Sequence, residues 1–272
     1  MDEKTLIQKT QQPITIKHIV SGLKNMGINP RDRLIVHTSL SSLGWVCGGA
    51  QAVIMALMEV LNEEGTLVMP AHSGDWSNPE EWEHPPVPKE WISIIHENMP
   101  AFDPAITPTR GMGRVAELFR TLPGTLRSNH PQVSFAANGK DAHEITKEHL
   151  LTPQLGIKSP LGKLYELDAK VLLLGVGYDS CTSFHLGEAL IQEMPVEQLG
   201  TSVFEEGKRV WKWFEDVVYD SEDFIKIGEA FEKEHVVQSG YIGMAPCKYF
   251  SMREGVDFSV QWLKKNRELR RV

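Results

Sequence analysis

The sequence predicts an α/β fold: one domain over residues 1–272, built on a mixed, largely parallel sheet. Three observations predict it. Arg33-Leu-Ile-Val-His37 and Thr66-Leu-Val-Met69 read as short buried strands on either side of one apolar helix, which is a βαβ unit. Residues 170–176 form a continuous apolar run, the pattern of a central strand covered on both faces. No repeat, low-complexity tract or linker divides the chain, and 41% hydrophobic with 24% charged residues is ordinary globular composition.

Thr15 is placed to cap a helix whose apolar face is Ile16, Ile19, Val20, Leu23 and Met26, with Gly27 suited to its end. Strand 33–37 opens into a Ser/Gly-rich loop, 38–49. A second apolar helix covers 50–61, and Asn62-Glu-Glu-Gly65 breaks it before strand 66–69. Residues 73–110 are different. Pro79, Pro85, Pro86, Pro88, Pro100, Pro104 and Pro108 punctuate them, with Trp76, Trp82 and Trp91 between. They predict a long ordered excursion with one short helix near 89–98. Helices follow at 111–122 and 161–167, with a strand at 133–137 between them. The central strand 170–176 leads to a helix over 182–191. Residues 202–218 read as a hairpin turning at Glu206-Gly207, and 224–234 as a helix. Residues 240–250 read as one more strand. Ser251 and Glu254 then form a capping box for a last helix reaching about residue 265.

The 28 basic and 36 acidic residues give a formal charge of −8. That balance argues against nucleic acid as a partner, which requires clustered Lys and Arg. The three cysteines, Cys47, Cys181 and Cys247, have no disulfide or zinc spacing. Residues 1–12 lack the apolar core of a signal peptide, and no apolar run could span a bilayer. A cytoplasmic protein with no membrane partner is expected.

Four segments can carry chemistry. The loop His37-Thr38-Ser39-Leu40-Ser41-Ser42-Leu43-Gly44, running on to Gly49, leaves a strand end and opens onto a helix. Hydroxyls and free backbone N–H groups there suit an anion, although the spacing is neither a Walker A loop nor GxGxxG; a polar loop that merely caps the helix is the alternative. Asp179-Ser-Cys-Thr-Ser-Phe-His185-Leu-Gly-Glu188 follows the strongest strand, where ligands gather in open α/β sheets. His185 and Glu188 are three apart, so a helix puts them on one face as a base with its orienting carboxylate. Cys181, one turn earlier, is a rival nucleophile for a hydrolase. No metal is expected, since neither His72 nor His130 completes a ligand motif with this pair. Thr107-Pro-Thr109-Arg110-Gly-Met112-Gly113 offers hydroxyls, a guanidinium and two glycines. Arg127-Ser-Asn-His130-Pro131 reads mainly as a structural turn.

Taken together and in this order, these segments resemble the aminoglycoside 3-N-acetyltransferase family, the antibiotic N-acetyltransferases. The matching blocks also include Met69-Pro-Ala-His72-Ser, Ser159-Pro-Leu-Gly-Lys-Leu-Tyr-Glu-Leu and Val171-Leu-Leu-Leu-Gly-Val-Gly. The resemblance implies an α/β/α fold distinct from the GCN5-like acetyltransferases. It implies acetyl-CoA as donor and direct transfer to the 3-amino group of a 2-deoxystreptamine aminoglycoside. It makes His185 the general base and Glu188 its acidic partner. His37 to Gly44, with Thr107, Thr109, Arg110 and Met112, become the CoA-binding walls. The thioester oxygen that gains charge needs a donor, and Thr107, Thr109 or a backbone N–H beside them is placed to supply it. A polycationic acceptor calls for acidic groups, so Asp75 and Asp179 are expected around it, with the excursion's tryptophans against sugar faces. His72 and His130, which sit in matching blocks, are expected to line the same pocket. Two departures stand out: Arg110 where a small residue is usual, and Cys47 where an acidic one is commoner. They leave a non-aminoglycoside amine as an alternative acceptor. Trp211 and Trp213 on the hairpin would suit a homodimer contact.

Overall fold

The structure is a computed structural model that describes residues 2–268. A short helix that the sequence did not announce, α1 (Glu3–Lys9), starts behind an Asp2 cap and buries no residue. Thr15 caps α2 (Ile16–Asn25), and His18 closes the capping box where Glu or Gln is usual. β1 (Arg33–Thr38), α3 (Gly49–Leu61) and β2 (Thr66–Pro70) form the expected βαβ unit, and β1 pairs parallel with β2. The excursion holds three 3-10 turns and α4 (Ile92–Asn98), where a short helix was expected. Then come α5 (Gly113–Arg120), β3 (Leu126–Arg127), β4 (Phe135–Gly139), α6 (Ala142–Thr146) and α7 (Pro160–Glu166). β5 (Lys170–Leu174) and α8 (Ser183–Ala189) carry the best-marked segment of the sequence.

Two expectations need correction in the last third. The hairpin expected from residue 202 begins earlier, as β6 (Val196–Glu205) and β7 (Lys208–Val217). Its first three residues, Val196-Glu-Gln198, are exposed and only Leu199 of the next three is a buried apolar side chain, so it gave no apolar alternation to read. After α9 (Phe224–Glu234), the single strand expected over 240–250 is a second hairpin, β8 (Gln238–Ile242) and β9 (Ala245–Ser251). Gly243 makes that turn with φ at 59°. α10 (Met252–Asn266) ends the described chain, with the Ser251 hydroxyl accepting from the Glu254 N–H at 3.4 Å.

The strands form one seven-stranded sheet of order β3-β4-β2-β1-β5-β9-β8, with β6 and β7 as a separate ribbon. Only β2-β1-β5 pair in parallel; the four outer pairs are antiparallel. Five of the seven strands still run one way, since only β4 and β9 are reversed. The sheet is therefore mixed and largely parallel.

Alternation along the strands separates two apolar layers. Leu34, Val36, Leu67, Met69, Leu172 and Leu174 face α2, α3 and α5. Ile35, Val68, Val171 and Leu173 face α6 to α10. Helices thus cover both faces, which makes the α/β/α sandwich.

Arg127 ties the excursion to this frame. Its guanidinium donates to the carbonyls of Ala71, Pro104 and Thr107 and to the hydroxyls of Ser73 and Ser134. Burial lowers its pKa to about 10, so it stays charged. The β6–β7 ribbon holds the other side: Thr201 donates to the Trp76 carbonyl at 2.6 Å, and Phe102 N–H to the Ser202 carbonyl at 3.0 Å. The Trp211 ring lies 4.2 Å from His96 of α4, and Trp213 meets His96 edge-on. Both tryptophans thus pack on α4 within the chain, and Trp213 also keeps an exposed face.

Candidate active site

The site forms at the C-terminal ends of the central parallel strands. β1 delivers His37 and Thr38, and β2 leads to His72. β5 ends at Leu174, and Gly175 turns the chain with φ at 74°. A Cβ at Gly175 would stand 2.6 Å from Cβ of Ser42, so this glycine lets the β5 exit approach the loop after β1. A 3-10 turn then leads into α8, whose outer face carries His185.

His185 Nδ1 lies 2.5 Å from Glu188 Oε2. Glu188 has no exposed surface. A carboxylate on Nδ1 fixes the Nδ1–H tautomer and leaves Nε2 with its lone pair. The Glu188 Oε1 atom accepts the Asp220 N–H at 3.1 Å and is ion-paired with Arg267 Nη1. Arg267 also meets Asp223 at 3.2 Å and donates to the Asp220 carbonyl at 2.9 Å. The imidazole packs between Phe224, 4.6 Å away, and Tyr219, edge-on at 5.5 Å.

His185 opens into a cavity of about 1140 Å³. Of the expected residues, the cavity brings together His37, Thr38, Ser39, Leu40, Ser41, Gly44, Met112, His72 and Asp179. His37 Nε2, Thr38 Oγ1 and His72 Nε2 are buried there with no hydrogen-bond partner, so polar capacity is left over for a ligand. Burial is the main cause that lowers His37 and His72 to about 3, so both rings are neutral at physiological pH. Arg114, at the start of α5, adds a cation to the wall. The sequence reading stopped one residue short of it, at Gly113.

The other expected residues sit elsewhere. Leu43 is core, and the Ser42 hydroxyl donates to Ser39 at 2.9 Å. Thr107 is buried and closes a turn by accepting the Asp103 N–H at 3.0 Å. Thr109 donates both its N–H and its hydroxyl to Glu117, at 2.9 and 2.6 Å. Burial raises the Glu117 pKa, but hydrogen bonds from Arg120 and Thr109 outweigh this and hold it at about 2. Thr109 is thus spent on a fixed anion, which corrects its reading as the oxyanion donor. His130 is fully buried: Nδ1 accepts the N–H groups of Gln132 and Val133, and Nε2 faces the Leu151 carbonyl. It organises a loop and does not line this cavity. Arg110 and Asp75 pair at 2.9 Å on the rim of a second cavity of about 750 Å³, walled by Trp76, Trp82, Ile94, Ile95 and Met99. The Arg110 N–H donates to the His72 carbonyl at 2.8 Å, so the two cavities adjoin.

Cys181 belongs to the apolar layer, fully buried, with its thiol pushed up to about 12 by burial. It holds no thiolate at neutral pH, which removes the hydrolase alternative. Among the described residues no group of three His, Cys, Asp or Glu is arranged to hold a metal, and no helix is long and apolar enough to cross a membrane.

A layered α/β frame presenting a buried-carboxylate–imidazole pair to a deep cavity matches one class of known proteins, the acyltransferases of the antibiotic-acetylating type. Residues 35–264 match the family model described as Aminoglycoside 3-N-acetyltransferase, and the chain belongs to that family. It is 47% identical over 264 residues to the SPbeta prophage-derived aminoglycoside N(3')-acetyltransferase-like protein YokD of Bacillus subtilis, covering 97% of each chain. The crystal structure of YokD superimposes with a TM-score of 0.95. Aminoglycoside N(3)-acetyltransferase VII of Streptomyces paromomycinus is 32% identical, over 97% of this chain and 96% of its own. A structure of AAC-IIIb binary with CoASH matches at TM-score 0.82 and 28% identity, over 93% of this chain and 97% of that one.

Proposed function

We propose that this protein transfers an acetyl group from acetyl-CoA to an amine, with His185 as general base and the 3-amino group of a 2-deoxystreptamine aminoglycoside as acceptor. The observation that carries the reading is the His185–Glu188 pair at 2.5 Å, opening on the 1140 Å³ cavity. The CoASH complex of AAC-IIIb and the name of the Streptomyces enzyme support donor and acceptor respectively. Three free cysteines are compatible with action in the reducing cytoplasm.

The cavity suits the donor in this chain's own terms. The loop of Ser39, Leu40 and Ser41, the Gly48-Gly49 turn and Arg114 line it, giving hydroxyls, approachable backbone and a cation for phosphates. Acetyl-CoA bound there supplies the acetyl group as an activated thioester. An ammonium has no lone pair, so the acceptor must lose a proton before it attacks. His185 Nε2 takes that proton while Glu188 holds the ring and balances the imidazolium; the freed amine attacks the thioester carbonyl, the C–S bond breaks, and the departing CoA sulfur takes up the N–H proton that the new amide gives up. His37, in its Nε2–H tautomer, and the Thr38 hydroxyl are the unpaired donors available to the oxygen that gains charge during transfer.

A second reading keeps the chemistry and changes the acceptor to an amine of lower charge. It is favoured by the Asp75–Arg110 pair, which neutralises an acid expected to meet a polycation.

The test is mass spectrometry of 2-deoxystreptamine aminoglycosides and simple amines after incubation with acetyl-CoA, using wild type and His185→Ala. One added acetyl group on an aminoglycoside, with turnover lowered about 10²–10⁴-fold in the variant and CoA affinity kept, is expected. Acetylation confined to simple amines would select the second reading. Equal loss of CoA binding in the variant would remove the base assignment.

A further inference from the structure

The geometry points to Arg267 as a positioning residue that holds Glu188 in register for His185. This inference rests on the acetyl-transfer reading. Glu188 is a fully buried carboxylate with two oxygens and two tasks. Oε2 faces His185, and Oε1 faces Arg267 and the Asp220 N–H. Without a partner on Oε1, nothing fixed would stop the carboxylate from rotating off the imidazole. Arg267, with the Asp220 N–H beside it, closes that escape. Its guanidinium is planar, permanently charged, and itself held at three points: Glu188, Asp223 and the Asp220 carbonyl.

Those three contacts lie on three different elements. Glu188 is on α8, Asp220 is in the connection after β7, and Asp223 stands at the start of α9. Arg267 itself closes α10, its N–H donating to the Leu263 carbonyl at 2.9 Å. The end of the last helix therefore sets the rotamer of a carboxylate on a helix 79 residues earlier. Arg267 does not itself line the cavity, so it reaches an acceptor through the groups it holds, Glu188 and behind it His185 foremost.

The test is a double-mutant cycle with a chemical rescue. Arg267→Ala should lower kcat about ten- to hundredfold with acetyl-CoA affinity unchanged. In a Glu188→Ala background the same change should cost nothing further, because the route through Glu188 is already cut. Millimolar guanidinium should restore turnover to Arg267→Ala but not to Glu188→Ala, a result that general destabilisation cannot produce. Arg267→Lys, which keeps charge without the fork, should retain more activity than Arg267→Ala. Independently of turnover, the downfield proton resonance of His185 Nδ1–H should be present in wild type, lost in Arg267→Ala and regained with guanidinium. Losses that multiply in the double variant, or an unchanged Nδ1–H resonance in Arg267→Ala, would overturn the inference. If wild type acetylates no amine, the functional reading fails, and the resonance still decides whether Arg267 sets the pair.

Discussion

Cys181 lies beneath the turn into α8, where burial holds its thiol at about 12. Replacing it by serine puts a hydroxyl into an apolar site and should cost about 1–3 kcal/mol of stability. Acetyl transfer should persist within a few-fold, because the thiol takes no part in it. Abolished turnover in a folded Cys181→Ser protein would revive the nucleophile. At this scale the sequence was half legible. His185 and Glu188 were readable because three-residue spacing on a helix is a geometric statement by itself. Thr109 and His130 were also candidates in sequence, the second in a segment that read mainly as a turn; one is spent on Glu117 and the other on loop amides. A residue's unspent hydrogen-bonding capacity depends on what folds against it. Arg267 was missed for the complementary reason: an arginine at the polar end of a helix has no local mark of the carboxylate it will meet.

Among the elements, α8 is held close against α10. A Cβ at Gly187 would stand 2.1 Å from Ser259 Oγ, a short buried side chain already bonded to the Val256 carbonyl at 2.7 Å. Gly187→Ala should therefore push α8 off α10, costing about 1–3 kcal/mol as an overpacked core does. Because Arg267 at the end of α10 reaches Glu188 on α8, turnover should fall along with the melting temperature. A variant with a lowered melting temperature and full kcat would mean that the helix separation does not govern the pair. Elements with a long apolar period, such as α3 and β5, were legible from sequence. Two-residue β3, five-residue α6 and the exposed start of β6 were not, since each is made by what it packs or pairs with rather than by its own pattern.

Over the whole molecule, several neutral rings are stored in the interior. His37 and His72 are lowered to about 3 and His130 to about 4, in each case chiefly by burial, and His149 moves the same way. The ordinary value is 6.5, so below that pH the unfolded chain binds protons that the folded chain refuses. Their contribution to stability is complete above pH 6.5 and is lost as pH falls toward 4 and then 3. Urea midpoints should accordingly decline steadily from pH 7 to 4.5. A flat profile over that window would mean these rings are protonated in place. The overall α/β/α plan was legible because one βαβ unit and one central strand constrain most of a doubly covered sheet. The antiparallel margins were not, since β8 and β9 are short and depend on pairing with β5.

The pairing of β1 with β5 sets Leu34 beside Lys170, half the chain away. His37 hangs from one of these strands and His185 follows the other. Until that long loop closes, an emerging chain holds two half-walls and no reaction chamber. Such distant contacts form slowly, because the entropy of closure is spent before the contact rewards it. Catalysis therefore has no graded precursor along the folding route, and the return of turnover after dilution from denaturant times the moment at which the two halves of the sheet meet.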